Sequence, residues 1–271
     1  MSRVLWSVVL GGVLLLGGCQ AVNTTSGGAV GVQRQQYMFS MLSSAQLEQM
    51  YAQAYQETLS KAQASGRLDR SSAMARRVEG ITRRLIAQTP VFRPDALNWN
   101  WETNLLAIDE LNANVGPGGK IIVYSGLIQR LNLTDDELAA VLGHEIAHAL
   151  REHSRESMSK AYAGELAKQG VVTLLGLGEL GNQVAGAALQ YGMTLPNSRG
   201  NENEADLIGL ELAARAGFNP NAVLTLWQKM AQAGGAGAPE FMSTHPSSAT
   251  RMSNLRAAIP RVMPLYEQSR R

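Results

Sequence analysis

The chain has 271 residues, 45% of them hydrophobic and 17% charged, which is ordinary globular composition and enough length for one domain with a substantial core. A formal charge of +2 from 24 basic and 22 acidic residues sets up no strong field toward nucleic acid or an anionic surface, so no nucleic-acid partner is expected. The single cysteine excludes an internal disulfide.

In chain order, Arg3 precedes an apolar run from Val4 to Leu16 that is too short to span a bilayer comfortably and has the form of a secretory signal. It ends in Leu16-Gly17-Gly18-Cys19, which resembles the bacterial lipobox. Residues 1–18 are therefore expected to be a lipoprotein signal peptide. Cys19 would carry the lipid that makes a membrane the chain's partner, in a bacterial envelope and facing the periplasm. Residues 19–37, rich in Gly, Ser, Thr, Asn and Gln, read as a flexible tether, with folded structure from 38 to 271. Residues 43–64 and 71–88 read as packing helices, the second with Met74, Val78, Ile81 and Leu85 at spacings of three and four. Around Asn98 to Thr103 the period shortens to two, as in a half-buried strand. Leu111 to Val115 and Lys120 to Tyr124 then flank Gly116-Pro117-Gly118-Gly119, a hairpin pattern.

Thr134 followed by Glu137 forms a capping box and starts a helix expected to reach about Ser157. A later helix is expected from Arg199 to Ala216, closed by Gly217 and Pro220. Between them, residues 169–198 are rich in Gly, Ala and Leu. Glu179, Asn182 and Gln183 argue against a membrane span there and favour closely packed or mobile helix.

The first of these helices carries His144-Glu145-Ile146-Ala147-His148. Histidines four residues apart lie about 40° apart around a helix, so both can reach one ion. Glu145 is turned about 100° away and can handle protons beside that ion without ligating it. With only four histidines in the chain, the pattern arises by chance with a probability of roughly 0.3%. Two hydrogen-bonded core histidines are the plainer reading. The flanking Leu138, Val141, Leu142, Ile146 and Leu150 bury the helix on nearly all sides, however, and buried polar groups need partners that a metal supplies together. His153 falls about 180° from His144 on a continuous helix, which excludes it as the third ligand. On the later helix, Glu202 and Asp206 share the apolar face, whereas Glu204 and Glu211 fall opposite, in an expected solvent stripe. Glu202 is thus the expected third ligand, and Asp206 the carboxylate that orients a ligand histidine through its other nitrogen.

His144-Glu145-x-x-His148 with Glu202-x-x-Ala205-Asp206 resembles the HtpX/BepA/LoiP-type gluzincin family of zinc metalloproteases, which includes the CAAX prenyl proteases. Tyr124-Ser125-Gly126-Leu127, Gly143, and His245-Pro246 followed by Arg251 extend the likeness over about residues 40 to 260. The layout is closest to LoiP-type periplasmic lipoprotein proteases. The resemblance implies an α+β fold, mainly helical and zincin-type, with a small mixed sheet beside the motif helix. It also implies one zinc ion per chain and endopeptidase activity on unfolded or misassembled envelope proteins. By the same resemblance His245 and Arg251 are candidates for stabilising a developing oxyanion. Substrate would pair in extended form with an edge strand, either around Asn112, Ala113 and Asn114 or along Lys120 to Tyr124. The chain departs from relatives there, with Asn114-Val115 where Phe-Ala is common. A catalytically silent envelope scaffold or chaperone, and a purely structural zinc site, are the competing readings. The small residues Gly234-Gly235-Ala236-Gly237 before His245 suggest a loop over the cleft that brings His245 to the ion.

Overall fold

A computed structural model describes residues 19–40, 42–169, 197–233, 240–246 and 248–271. The signal-peptide reading, the glycines at 234–237 and nearly all of the 169–198 segment lie outside the described residues. Among those described, no helix is long and apolar enough to cross a membrane.

The four-stranded sheet follows the sequence pattern closely at one end. β5 (Ala113–Gly116) and β6 (Lys120–Tyr124) pair antiparallel around a single turn of 3-10 helix at Pro117–Gly119. β4 (Glu102–Leu106) lies parallel to β6 with Glu102 opposite Lys120, and the two-residue β3 (Leu68–Asp69) pairs antiparallel with β4. The order β3-β4-β6-β5 makes the sheet mixed, with β5 on the edge and β6 inside. Lys120–Tyr124 is therefore not the edge strand. The strand expected at Asn98 starts later, because Pro94–Asn98 forms a 3-10 turn in which Trp101 Nε1 donates to the Ala96 carbonyl at 2.7 Å.

Alternation sorts the sheet's side chains between two layers. Leu105, Ile121 and Val123 join the main core, while Leu106 and Ile122 join Tyr51, Tyr55 and Leu59 of α1 (Ser44–Ala64). On the main-core side lie α2 (Ala73–Ile86) and the motif helix α4 (Asp135–Leu150). A short α3 (Ser125–Arg130) leads from β6 toward α4. The capping box forms, Thr134 accepting from the Glu137 backbone and Glu137 from that of Thr134. Asp135, Asp136 and Glu137 in the first turn suit the positive end of the helix dipole.

Helix α4 stops at Leu150, seven residues short of the expected end. Arg151 caps it and Glu152 adopts a left-handed φ of 51°, a helix-ending conformation found here without the usual glycine. The Glu152 carboxylate holds the turn through Arg93 at 2.7 Å, Arg155 at 3.0 Å and the Ser44 hydroxyl. From there α5 (His153–Gln169) begins as a separate helix.

Helix α6 (Arg199–Arg215) ends as its sequence indicates, with Gly217 at φ 80°, and lies across α4. α7 (Ala222–Ala233), α8 (Glu240–Thr244) and α9 (Ala249–Ser269) pack around that pair.

The segment expected to be a flexible tether is packed instead. β1 (Cys19–Val22) and β2 (Gln36–Phe39) form a two-stranded ribbon, and Val30, Val32, Gln36 and Met38 are buried. The Val30 N–H donates to Glu211 at 2.9 Å, and Arg34 pairs with Glu204 and Glu156. This strap covers the face of α6 assigned to solvent, so Glu204 and Glu211 are buried rather than exposed. A helical wheel ranks faces by polarity, and here the acidic face is covered by a strap that brings its own basic and amide donors.

The α4–α6 crossing depends on two glycines. A Cβ on Gly209 would sit 2.6 Å from the His144 nitrogen, and one on Gly143 2.8 Å from the Gly209 carbonyl oxygen, both rigid backbone atoms. Ala gains only about 1 kcal/mol of helix propensity over Gly, whereas overpacking costs about 1–3 kcal/mol. Gly209→Ala should therefore lower the denaturant midpoint and, by parting the helices, reduce bound zinc. Unchanged stability and metal content would show that the helices tolerate separation.

Candidate metal centre

Four side chains from three elements converge at the α4–α6 crossing. His144 and His148 come from one face of α4, Glu202 from the first turn of α6, and His245 from just after α8. All four are buried. His144 Nε2 lies 3.1 Å from His148 Nε2 and 3.3 Å from His245 Nδ1. Glu202 Oε1 lies 2.9 Å from His245 Nδ1 and 3.3 Å from His148 Nε2, and its Oε2 lies 3.4 Å from His144 Nε2.

Hydrogens can pair these atoms two at a time, His148 with His144 and His245 with Glu202 Oε1. A single cation at their centre would instead take the lone pairs of all three rings and a Glu202 oxygen together. Donors placed tetrahedrally about 2.0–2.1 Å from zinc stand about 3.3 Å apart, matching the separations here. Three imidazoles and one carboxylate are also a nitrogen-rich set that suits zinc. The cluster can bind one metal ion.

The electrostatics follow from burial. Burial raises the Glu145 carboxyl above its ordinary value, despite the nearby His245 and His144. Burial opposes the Glu202 charge as well, but hydrogen bonds from His144, His148 and His245 hold that carboxyl far below the usual range. For His148, burial dominates and pushes the ring toward its neutral form, the form in which imidazole binds metal.

Around the cluster the carboxylates have separate duties. Asp206 Oδ1 stands 3.1 Å from His144 Nδ1, near enough to pair though off the hydrogen-bond line. Arg251 grips Asp206 with Nε and Nη2, both at 2.7 Å, while Nη1 donates to the Pro246 carbonyl and lies 2.7 Å from Glu202 Oε2. Its guanidinium also stacks 4.3 Å over Trp227. The expectation that Arg251 stabilises an oxyanion therefore gives way: every nitrogen is committed, and its work is to hold Asp206 and Glu202. Glu145 faces the other way, its Oε1 3.3 Å from His245 Nε2, and its carboxylate accepts from the Val115 backbone.

Asn112, Ala113 and Asn114 lie at and just before β5, beside α4. The Tyr124 N–H donates to the Asn112 carbonyl. Hydrogen-bonded positions alternate in an antiparallel pair, so Ala113 and Val115 turn their amides away from β6, where the Ala113 N–H donates to Asn112 Oδ1 at 2.9 Å and the Val115 N–H to Glu145. Asn114 pairs inward, its side chain accepting from Tyr51 at 2.9 Å.

His153 is not part of the cluster, as expected, but neither is it idle. The turn at Glu152 returns it to α4, where its Nδ1 lies 2.8 Å from His148 Nδ1 and its Nε2 3.0 Å from Glu204 Oε2. The roles of His153, Glu204, Arg151 and Arg34 were not legible from helical spacing. The strap's single arginine ahead of a helix bearing two acidic faces was the one available signal.

Fold and cluster together define a helix-borne site for one metal ion, with an acid beside the ligands and a strand edge alongside. Residues 72–259 match Peptidase family M48, and the chain belongs to that family. Mitochondrial metalloendopeptidase OMA1 of Saccharomyces cerevisiae is 37% identical over 164 residues, 58% of this chain and 46% of its own length. Metalloendopeptidase OMA1 of Homo sapiens is 32% identical over 180 residues, 62% of this chain and 34% of its own. The Beta-barrel assembly-enhancing protease of Escherichia coli K12 is 31% identical over 181 residues, 61% of this chain and 36% of its own. The chain thus spans a third to a half of the length of these relatives.

Glu202→Ala removes one donor and the charge that offsets the ion, so bound zinc should fall from one per chain to a small fraction, measured by elemental analysis after dialysis. Full zinc content in this variant would assign the carboxylate ligand elsewhere.

Proposed function

We infer that the protein is a zinc-dependent endopeptidase that hydrolyses peptide bonds of unfolded or misassembled proteins in a bacterial envelope. The observation that carries this reading is the placement of Glu145 between the His144/His148/Glu202/His245 cluster and the edge strand β5. Zinc in the cluster would supply Lewis-acid polarisation of the scissile carbonyl and of the attacking water. An extended peptide would add to β5 through the outward backbone of Ala113 and Val115, exchanging their bonds to Asn112 Oδ1 and Glu145 for a pairing made without regard to side chain, as clearance of varied substrates requires. Glu145, raised above the ordinary carboxylate value by burial, is poised to take a proton from water and return it to the leaving amine. A purely structural site has no use for such a group.

His245 gives the resting enzyme a latent form. As fourth donor it occupies the position that water and substrate need. Withdrawn with α8, it can donate to a developing oxyanion from the side of Glu145. The Phe241 N–H donates to the Leu111 carbonyl, so the same short helix also leans on the chain entering the edge strand. Opening it frees metal and strand together.

The lipobox-like sequence ending at Cys19 supports anchoring in the envelope, with the periplasm-facing outer membrane as the location. The name of the Escherichia coli relative, with its reference to β-barrel assembly, accords with envelope substrates.

Glu145→Gln tests the reading. It should keep zinc at wild-type content and lose peptidase activity on an unfolded casein by at least about a hundredfold, the usual scale of general acid–base catalysis. Undiminished cleavage, with a chelator abolishing it in both proteins, would remove Glu145 from the mechanism. Equal inactivity of wild type under activating conditions would favour the scaffold reading.

A further inference from the structure

The two helix-borne histidines of the cluster are supported differently. A metal-binding imidazole needs its second nitrogen held, because that hydrogen bond sets both the tautomer and the ring orientation. His144 has the Asp206 carboxylate at 3.1 Å. His148 has a second imidazole there: its Nδ1 lies 2.8 Å from His153 Nδ1.

One assignment of protons satisfies the row. His148 turns Nε2 to His144 and Glu202 in the cluster, so its neutral ring carries hydrogen on Nδ1. That hydrogen is donated to His153 Nδ1, which must be a lone pair. His153 then carries its hydrogen on Nε2 and donates it to Glu204 Oε2 at 3.0 Å. The reverse assignment would leave His148 with no lone pair for a metal. Glu204 thus fixes the tautomer of His153, and His153 fixes that of His148.

The row continues into the N-terminal strap. Glu204 is buried, and its charge is met by Arg151 Nε at 3.0 Å and by Arg34 Nε and Nη2 at 2.7 and 3.0 Å. Arg34 also grips Glu156 at 2.6 and 2.8 Å, while Arg151, wholly buried, donates to the Arg34 carbonyl and to Asn23 and Thr25 of the strap. These contacts tie residues 23–36, which precede the family match at 72–259, to a ligand of the metal cluster through two intervening side chains.

We propose that His153 is a positioning residue for the metal site, holding His148 in its ligating tautomer, and that Arg34 of the strap belongs to the same device by holding Glu204. The inference rests on the zinc reading above. The strap then has a function beyond connection: with it docked, His148 is held for the metal, and with it displaced, Glu204 loses one of its two arginines and the row loosens.

Zinc affinity of the full-length protein in detergent, measured by competition with a chromogenic chelator, separates this from plain packing. His153→Leu fills the space without an acceptor and should weaken zinc binding about 10- to 100-fold, the scale for losing such an outer partner. His153→Asn places an acceptor near the former Nδ1 and should recover most of the loss. Arg34→Met should weaken binding by a smaller factor, about three- to tenfold, and Arg34→Lys should restore part of it. The cobalt(II) spectrum should shift in His153→Leu and return toward wild type in His153→Asn. If Leu and Asn at 153 behave alike, whether both tight or both equally weakened, the positioning role is overturned. Wild-type affinity in Arg34→Met overturns the strap's part. Should His153→Leu fail to fold, His153→Ala against His153→Asn carries the same comparison. A wild-type protein that binds no zinc would instead overturn the metal reading itself, a failure distinct from wild-type binding with unaffected variants.

Discussion

Two imidazoles sunk into a helix buried on every side set the terms for the rest of this structure. Leu138, Val141, Leu142, Ile146 and Leu150 leave α4 no solvent face, so each polar atom of His144, Glu145 and His148 must find a partner inside the protein. Leaving one unmet costs about 1–3 kcal/mol, and more for a charge. That demand explains why α6 approaches within glycine-only distance at Gly143 and Gly209. Only such an approach brings Glu202 and Asp206 to the histidines. It explains Arg251 as well, since two carboxylates buried side by side would repel without the guanidinium that pairs with both.

The satisfied groups divide around the centre in a way that bears on function. Asp206 and Arg251 steady one side, and His153, Glu204 and the strap steady another. Glu145 and the outward backbone of β5 occupy the remaining side, where the Val115 N–H donates to Glu145. His245 covers this side and leans on Glu145 at 3.3 Å. The latent hydrolase proposed above would use such rigid support away from the chemistry, with His245 as a removable cover over it.

Much of this was legible in the residues. The four-residue spacing of His144 and His148, the Thr134–Glu137 capping box and the Gly217 stop each state a local geometry, and each formed. So did the hairpin around Pro117. The paired position of Glu202 and Asp206 followed from helical angles because the face they occupy is also apolar. Angles failed for Glu204 and Glu211 because the strap buries that face with Arg34 and a backbone N–H, a tertiary contact that no periodicity reports. They failed again at Glu152, where a left-handed residue that is neither Gly nor Asn ends α4 without a sequence signal, its cost met by Arg93, Arg155 and Ser44. On a continuous helix the angle of His153 removes it from the ligand set. The broken helix removes it too, and gives it a different place against His148. The Gly-, Ser-, Thr-, Asn- and Gln-rich composition of residues 19–37 suggested a tether, but composition does not register the few anchors, Val30, Val32, Arg34 and Gln36, that fix such a segment.

The central claim is that His144, His148, Glu202 and His245 are the ligands of one zinc ion in the resting protein. X-ray absorption at the zinc edge, compared between wild type and His245→Ala, tests it directly. Four nitrogen or oxygen donors at about 2.0–2.1 Å are expected, with imidazole scattering from three rings in wild type and two in the variant, the donor number kept up by solvent. The same imidazole count in both proteins would contradict it.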